Sequence, residues 1–316
     1  SKSTDGSPHR IRSEFPTVRV LELDANLGPS VARNTGLKSV DSPLVLLIDH
    51  DVYVESGAIT ALAEALCAQP VAVVCPRVRL MPERNIVQTD GAAVHFLGTM
   101  ILNHAYQPID AVIAQPGVVG GCISACLLVD RSVVLSAGGF EELYFFHFED
   151  LEFSLRLRAM GHVFFHEPLA EVFHDRGHGT PGLSFRNVGA YPVQRAQLTM
   201  RYRLATILIH YRLRTLLLLL PALMLYEIAT FVVAVRRGWS RQWAQSWLWQ
   251  IQNGSAIASR RRRMRRLRKV PDRKLLIGGP PPLAPGTLES TLERGLVRML
   301  SQLLNAYWRL VKTWIG

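Results

Sequence analysis

Short apolar segments alternate with segments of helical periodicity along the first half of the chain, between residue 18 and about residue 173. The strand-like segments include residues 18–23, Leu44–Ile48 and residues 71–75, 163–165 and 170–173, and the helical ones include residues 30–40, 58–66 and 149–160. Such alternation is typical of βαβ units. Leu44–Ile48 is apolar throughout, as expected of a parallel strand covered on both faces. We therefore predict an α/β fold with a mostly parallel, Rossmann-like sheet, which residues 77–115 interrupt with an irregular excursion.

The charges of this 316-residue chain are separated along its length. Residues 1–194 contain 14 basic and 21 acidic side chains, whereas residues 195–274 contain 18 Lys and Arg against two acidic residues, Glu227 and Asp272. The hydrophobic share of 48% excludes a disordered or collagen-like chain. We predict three parts. They are a globular domain over residues 1–180, an apolar and basic helical region over 181–274, and a linker with an amphipathic helix over 275–316.

The four cysteines do not have the paired spacing of a zinc site, and they are too few for a disulfide framework. A reduced, cytosol-facing environment is the better interpretation. The chain starts on a turn-like Ser-Lys-Ser-Thr-Asp-Gly-Ser sequence with no element before it. We expect that it lacks its natural N-terminus.

Residues 215–235 form an apolar segment of 21 residues that contains one charge, Glu227. This length suffices to cross a bilayer core of about 30 Å. Trp239, Trp243 and Trp247 follow at intervals of four residues, as in an interfacial aromatic belt. The basic run at residues 260–269 favours anionic membrane lipid. We expect membrane association, either spanning or interfacial; a core helix packed on the globular domain is the alternative.

Asp49, His50 and Asp51 come directly after the strand-like segment Leu44–Ile48. Ligand sites of α/β sheets lie at the carboxyl ends of strands. Two carboxylates separated by one residue can bind a hard divalent cation and leave positions for phosphate oxygens. An acidic loop without a ligand is the alternative, because this triplet is common.

Three further groups of residues are candidates for a site. Glu149 and Asp150 begin a predicted helix, where one could serve as a general base or both could merely cap the helix. His174 ends an apolar segment and precedes a Gly-rich loop that contains Arg176, which suits a phosphate or metal site. Gly120 and Gly121 would allow a ligand or another segment to approach the backbone closely.

Several short motifs occur in a fixed order. They are Ser-Thr-Asp-Gly-Ser at residues 3–7, Asn-Leu-Gly at 26–28, Ala-Arg-Asn-Thr-Gly at 32–36, Asp-His-Asp at 49–51, Gly-Gly-Phe-Glu-Glu at 138–142, Glu-Asp-Leu-Glu at 149–152 and Arg-Leu-Arg at 156–158. With these motifs, residues 1 to about 180 resemble family 2 of the glycosyltransferases, which have the GT-A fold. The tail resembles the helical extension of bacterial members that build cell-surface polysaccharides, of the rhamnosyl- and galactofuranosyltransferase type.

The resemblance implies an inverting transfer of a sugar from a nucleoside-diphosphate sugar to a hydroxyl of a glycan or lipid-linked acceptor. It implies that Asp49 and Asp51 hold Mg²⁺ or Mn²⁺ against the diphosphate, with His174 as a third ligand. It also implies that Asp150 takes the proton of the acceptor hydroxyl. We expect such an enzyme at the cytoplasmic face of the bacterial cell membrane.

The remaining site predictions also follow from the resemblance. The residues expected near the donor nucleotide are Asp5, Arg33, Asn34 and His50, and those expected near the acceptor or pocket are Gly120, Gly121, Glu149 and Arg176. Members of the family normally carry about 40 further residues before the Ser-Thr-Asp-Gly turn, including a carboxylate that recognises the base. The absence of these elements puts half of the nucleotide pocket in doubt.

Three alternatives remain open. A nucleic-acid-binding protein could use the basic run at residues 260–269, but the globular part is acidic and the run lacks interleaved aromatic residues. A processive polysaccharide synthase would carry a Gln-x-x-Arg-Trp motif, which this chain does not contain. A catalytically inactive fragment or scaffold is the third. The sequence leaves the oligomeric state and the donor sugar open.

Overall fold

The computed structural model describes residues 3–175, 192–281 and 291–316. The helices are α1 (Ser7–Glu14), α2 (Pro29–Lys38), α3 (Ala58–Ala68), α4 (Arg131–Ser136), α5 (Glu149–Ala159), α6 (Val193–His210), α7 (Leu213–Arg236), α8 (Ser240–Gln252), α9 (Gly254–Leu267) and α10 (Thr291–Val311). The strands are β1 (Leu44–Ile48), β2 (Val52–Val54), β3 (Val73–Met81), β4 (Val87–Thr89), β5 (Ala92–His95), β6 (Thr99–Leu102), β7 (Gly117–Val119), β8 (Cys126–Asp130), β9 (Phe164–Asp175) and β10 (Leu276–Ile277). The predicted boundary at residue 180 and Arg176 lie outside the described residues.

The larger sheet has the strand order β1-β8-β3-β9-β2, with β4 beside β3 and β7 beside β9. Strands β3 and β9 are parallel, whereas the other pairs in this sheet are antiparallel. The prediction of an α/β fold is confirmed, but the prediction of a mostly parallel sheet is wrong. Leu44–Ile48 is a half-buried strand that pairs with β8 alone in the described sheet. A short apolar run suits either direction of pairing, so the sequence could not distinguish them.

Three local predictions are also corrected. Residues 18–23 form no strand, because no neighbouring strand offers them hydrogen-bonding partners. The segment 77–115 is less irregular than predicted: it contains β4, β5 and β6, and β5 pairs with both β6 and β10 in a second sheet. The two strands expected at 163–165 and 170–173 are one strand, β9, whose register with β3 shifts between Pro76 and Arg77.

Helix α5 lies at the centre of the molecule. Nine of its eleven residues are buried, so it has no solvent-facing side despite its charged sequence. Phe153 stacks on Phe140, and Leu155 belongs to the core that the C-terminal helices cover. Burial on all sides means that each charged group of α5 needs a partner inside the protein.

The buried ion pair between Glu152 and Arg156 provides such partners. Arg156 Nε donates to Glu152 Oε1 at 2.8 Å, and its two other nitrogens donate to the carbonyl oxygens of Ala137 and Gly139. His210, on α6, reaches the same carboxylate oxygen at 3.1 Å. Burial raises the pKa of Glu152, but the charge of Arg156 and the hydrogen bond from His210 outweigh it and lower the pKa to about 2. Helices α5 and α6 are thus joined by one carboxylate.

Helix α7 corresponds to the predicted apolar segment, and its length and composition allow it to cross a membrane. Its midpoint carboxylate, Glu227, is buried and pairs with Arg203 of α6. The indoles of Trp243 and Trp247 donate to Glu227 Oε1 at 2.9 and 3.1 Å. These two indoles of the predicted Trp row thus supply the donors that a buried carboxylate requires, and the position of the row at a membrane interface stays a prediction.

The predicted basic run lies on α9 and just after it. Several of its side chains contact the protein rather than solvent. Arg260 Nη2 donates to Glu141 Oε1 at 2.8 Å, Arg263 Nη2 donates to the Ala137 carbonyl at 3.2 Å, and Arg268 pairs with Asp272. The bonds of Arg260 and Arg263 connect α9 to the segment between α4 and α5.

We predict that Arg156→Met lowers the free energy of unfolding by about 3 kcal/mol, because it leaves the Glu152 carboxylate short of a partner in the protein interior. Urea denaturation followed by circular dichroism measures this change. The control is Arg10→Met, which removes an exposed i,i+4 pair with Glu14. It should cost less than about 1 kcal/mol. Equal losses in the two variants would contradict the structural importance of the buried pair.

Candidate active site

Arg33, on α2, links the two acidic motifs of the chain. Its Nη2 donates to Asp49 Oδ1 at 2.8 Å and to the Ser124 carbonyl at 3.3 Å, and its Nη1 donates to Glu149 Oε1 at 3.4 Å. Burial lowers the pKa of Arg33, but the carboxylates of Asp49 and Glu149 outweigh burial and raise it. The end of β1 and the start of α5, about 100 residues apart in sequence, therefore meet at one guanidinium.

Glu149 and Asp150 lie side by side in the first turn of α5. Asp150 Oδ1 accepts a hydrogen bond from the Leu151 amide at 2.8 Å. Burial and the adjacent Glu149 carboxylate raise the pKa of Asp150 to about 7, against the opposing effect of that amide and of Arg33. Within the described chain, the buried Glu149 Oε2 has no hydrogen-bond partner. The site thus contains a carboxyl group that titrates near neutrality beside a carboxylate oxygen with spare acceptor capacity.

The residues that precede α5 adopt an uncommon backbone conformation. His147 and Phe148 both have positive φ angles, 68° and 78°. Two successive left-handed residues without a glycine cost about 1–2 kcal/mol each. Burial and Arg195 hold the pKa of His147 well below its ordinary value, so this imidazole is neutral. The strained turn positions the first residues of α5 at the site.

Asp51 and His174 are brought together by the pairing of β2 with β9. Val52 lies opposite His174 in this antiparallel pair, so the preceding residue, Asp51, reaches the same imidazole. His174 Nε2 is 3.4 Å from Asp51 Oδ1, and its Nδ1 lies 2.9 Å from Gln88 Oε1. An amide oxygen only accepts, so Nδ1 carries the proton in this contact, and the Nε2 atom faces the carboxylate. This orientation through a second partner is characteristic of metal-binding histidines.

The predicted ligand set of Asp49, Asp51 and His174 is not assembled as one cluster. Within residues 3–175, 192–281 and 291–316, no three His, Cys, Asp or Glu side chains are grouped so that they could hold a metal ion. The physical reason is that Arg33 binds the Asp49 carboxylate. Asp51 and His174 remain as a pair of donors. Mg²⁺ commonly takes one or two protein ligands and completes its shell with water and substrate phosphate, so a pair fits such an ion.

The other predicted donor residues have different surroundings. Asn34 binds the loop before α5: its Nδ2 donates to the Phe140 carbonyl at 2.9 Å, and its Oδ1 accepts from the Phe140 amide at 2.7 Å. Asp5 is exposed and accepts hydrogen bonds from the Ser7 hydroxyl and from the Ser7 amide, the latter at 3.0 Å, and these bonds lower the pKa of Asp5. His50 is exposed in the turn between β1 and β2.

The two predicted pocket glycines are in contact with protein. A Cβ atom on Gly120 would lie 2.8 Å from Ala93 Cα, and one on Gly121 would lie 2.6 Å from Ser154 Cβ. These glycines therefore allow β5 and α5, rather than a ligand, to pack closely against the backbone. Gln88 was not predicted, because only the pairing of β4 with β3 brings it to His174, and no sequence pattern signals that pairing.

Comparisons with known proteins find similarities for the first part of the chain. Residues 1–134 match the profile of Glycosyl transferase family 2. An N-acetylglucosaminyl-diphospho-decaprenol L-rhamnosyltransferase of Mycobacterium tuberculosis is 30% identical over 203 residues, covering 56% of this chain and 65% of that protein. A pre-mycofactocin glycosyltransferase of the same species is 29% identical over 158 residues, covering 50% of this chain and 32% of that protein. The chain thus spans less than two thirds of the length of these relatives.

Solved structures give more distant similarities. The Staphylococcus aureus TarS 1–349 complex with UDP-GlcNAc has a TM-score of 0.48 at 16% identity, covering 99% of this chain and 79% of that chain. A Pyrobaculum calidifontis mannosyltransferase in complex with GDP-Man and Mn²⁺ has a TM-score of 0.46 at 14% identity, covering 99% and 76%.

We predict that Arg33→Met lowers stability by about 3 kcal/mol at pH 8 and by less at pH 5. Arg33 opposes the raised pKa of Asp150, so without the guanidinium this pKa rises further in the folded state. A carboxyl with a raised folded-state pKa loses stability as the pH increases, so the deficit grows toward pH 8. Thermal unfolding of Arg33→Met and of the charge-preserving Arg33→Lys at both pH values measures it. A deficit in Arg33→Met that does not change with pH would refute this electrostatic role.

Proposed function

We propose that this chain, whose residues 1–134 match the profile of Glycosyl transferase family 2, transfers a sugar from a nucleoside-diphosphate sugar to an acceptor hydroxyl with inversion at the anomeric carbon. The observation that carries the proposal is the half-buried carboxyl of Asp150, which lies next to Glu149 and the Arg33 guanidinium and whose pKa is raised to about 7. A base with a pKa near the working pH is the most effective proton acceptor. The fold that the family implies is the GT-A fold, which the mixed α/β architecture matches.

In the proposed reaction, the acceptor oxygen forms a bond to the anomeric carbon while the bond from that carbon to the diphosphate oxygen breaks. The acceptor proton passes to a carboxylate oxygen of Asp150. Arg33 pairs with Asp49 and Glu149 and fixes their positions relative to Asp150. The spare acceptor atom Glu149 Oε2 is suited to a hydrogen bond from a second hydroxyl of the acceptor.

We further propose that Asp51 and His174 hold a divalent cation, Mg²⁺ or Mn²⁺, together with the diphosphate of the donor. Such an ion supplies positive charge that stabilises the leaving diphosphate. Gln88 supports the site by fixing the imidazole so that Nε2 faces Asp51. Asp49 contributes to the same acidic edge through its pair with Arg33 rather than as a free carboxylate.

For the acceptor, we propose a glycan or a lipid-linked sugar of the cell envelope. The support is the name of the mycobacterial relative, an N-acetylglucosaminyl-diphospho-decaprenol L-rhamnosyltransferase. A polyprenyl-linked acceptor resides in a membrane, which agrees with a chain whose helix α7 is apolar enough to contact lipid. We therefore place the enzyme at the cytoplasmic face of the bacterial membrane, with anionic lipid as a partner of its basic region.

The base is tested by Asp150→Asn, which keeps the shape of the side chain and removes its capacity to accept a proton. We expect transfer to fall by about 100-fold or more, with little change in donor binding. Turnover is measured by release of nucleoside diphosphate, and donor binding by calorimetry. The comparison variant is Glu149→Gln, which should lose less of kcat. Normal turnover in Asp150→Asn would assign the role to another residue.

The same carboxyl predicts the pH dependence of the reaction. Because the pKa of Asp150 is raised, its reactive ionised form becomes populated only as the pH increases through about 7. We expect kcat/KM to rise about tenfold per pH unit below that value and to level off above it. A profile that is flat between pH 5 and 8 would contradict Asp150 as the base.

The cation site is tested with Asp51→Asn and His174→Ala, measuring Mn²⁺ binding by electron paramagnetic resonance and transfer as a function of Mn²⁺ concentration. We expect His174→Ala to raise the Mn²⁺ concentration for half-maximal rate by about tenfold or more, and Asp51→Asn to remove transfer. His50→Ala is the control, because its exposed side chain lies between the two Asp residues. Full activity in EDTA would overturn the metal proposal.

A further inference from the structure

Helix α7 has two opposite apolar faces, and only one is covered by protein. On the covered face, Leu219, Ala222 and Ala234 are buried against the C-terminal helices. On the other face, large apolar side chains recur every three or four residues and are 41–65% exposed. They are Leu213, Leu217, Leu220, Met224, Ile228, Phe231 and Val235. This spacing defines a continuous stripe along the helix, and we call it the α7 stripe.

Helix α10 lies antiparallel beside α7 and has the same division. Tyr307 Oη donates to the Leu218 carbonyl at 2.7 Å, and Arg236 pairs with Glu293 at the other end. The side chains of α10 that pack on the protein are Leu304, Trp308 and Val311. Its exposed apolar side chains are Leu296, Met299, Leu303 and Leu310, which we call the α10 stripe. Two neighbouring helices thus present apolar surface that no described part of the chain covers.

The charges around these stripes have one sign. In residues 192–281 and 291–316 the acidic side chains are Glu227, Asp272 and Glu293, and each is engaged in an ion pair with an arginine. The exposed basic side chains near the ends of the stripes are Arg212, Arg214, Arg236, Arg241, Arg309 and Lys312. A second copy of this surface would bring cations against cations. An anionic membrane supplies both the apolar layer and the opposite charge.

The polar bonds of α7 argue against a helix that crosses the bilayer. At its start, the Arg212 amide donates to Asp272 Oδ2 at 2.8 Å, and at its middle Glu227 is bonded to Arg203 and to two indoles. A crossing helix would carry these charged partners into hydrocarbon or lose them. The covered face therefore keeps α7 attached to the protein body, and the α7 stripe, with the exposed Val232 and Val233 near its end, is available to lipid.

We propose that α7 and α10 together form a monotopic membrane anchor, which lies in the interface of an anionic bilayer with both ends of α7 on the same side. This anchor rests on the proposed function in one respect: it would bring the enzyme to an acceptor that resides in the membrane. The evidence for membrane binding itself is the two apolar stripes and the basic side chains around them. Insertion of the two stripes provides the apolar part of binding, and the arginines around them provide a salt-sensitive part.

Binding is tested by flotation of the full chain with phosphatidylcholine vesicles containing 30% phosphatidylglycerol. We expect Leu217→Glu and Leu310→Glu each to raise the lipid concentration for half-binding by about tenfold or more. The matched control is Leu169→Glu, which changes an apolar side chain that is 82% exposed on β9. It should bind as the unchanged chain does. Equal binding by all four proteins, or no binding by the unchanged chain, overturns the anchor.

Topology is tested by labelling on sealed vesicles with a membrane-impermeant maleimide. In a Cys67→Ser background, which removes the exposed cysteine, Arg214→Cys and Arg241→Cys place one thiol near each end of α7. An interfacial helix gives full labelling at both positions from the outside. Labelling at only one position shows a crossing helix and overturns the inference.

A third measurement separates this inference from the proposed function. Hydrolysis of the nucleoside-diphosphate sugar without vesicles should be equal in Leu217→Glu and in the unchanged chain. If no protein turns over donor but the stripe variants still lose vesicle binding, the function fails and the anchor stands. If the stripe variants change the sedimentation coefficient and not vesicle binding, the surface is a protein interface and the anchor fails.

Discussion

The first turn of α5 carries three carboxyl groups that are largely shielded from water. Side chains and a backbone amide of the surrounding structure replace the hydrogen bonds and charges that water would supply. Glu149 is held by Arg33 of α2, and Glu152 by Arg156 and by His210 of α6. Asp150 has a backbone amide as its hydrogen-bond donor. The difference in partners sets the difference in pKa: Glu152 is lowered to about 2, whereas Asp150 is raised to about 7. One helix turn therefore contains a permanently charged structural group and a group that can exchange a proton near neutral pH.

Much of the site could be predicted from the sequence because its parts lie in short, ordered motifs. The Asp-His-Asp triplet after β1 and the Glu-Asp pair at the start of α5 were placed on the correct elements, since an apolar run and a helical period mark those elements locally. The length of the apolar helix α7 was also predictable, because composition alone determines it.

The failures concern pairings between distant segments. Whether β1 pairs in parallel or antiparallel fashion depends on where β8 lies, and an apolar run does not encode its neighbour. Gln88 and His174 meet only because β4 and β9 both pair with β3. The spacing of the Trp row predicts an interface, but it does not reveal that Trp243 and Trp247 also donate to Glu227. A buried carboxylate requires such donors, and which residues supply them depends on how α7 and α8 pack.

The same charge compensation bears on whether residues 1–180 form an independent domain. His210 and Arg260 come from the C-terminal helices, yet they bond to the carboxylates of Glu152, on α5, and Glu141, in the loop before it. The ring of Tyr202 packs on the buried ring of Tyr144, and its hydroxyl oxygen accepts a hydrogen bond from the Phe145 amide at 3.0 Å. A chain without these helices would expose that aromatic surface and leave carboxylates short of cations. Helices α7 and α10, which carry the apolar stripes, therefore share one folded core with α5, which carries Asp150. Binding of α7 to a membrane would consequently also fix the orientation of the site relative to that membrane.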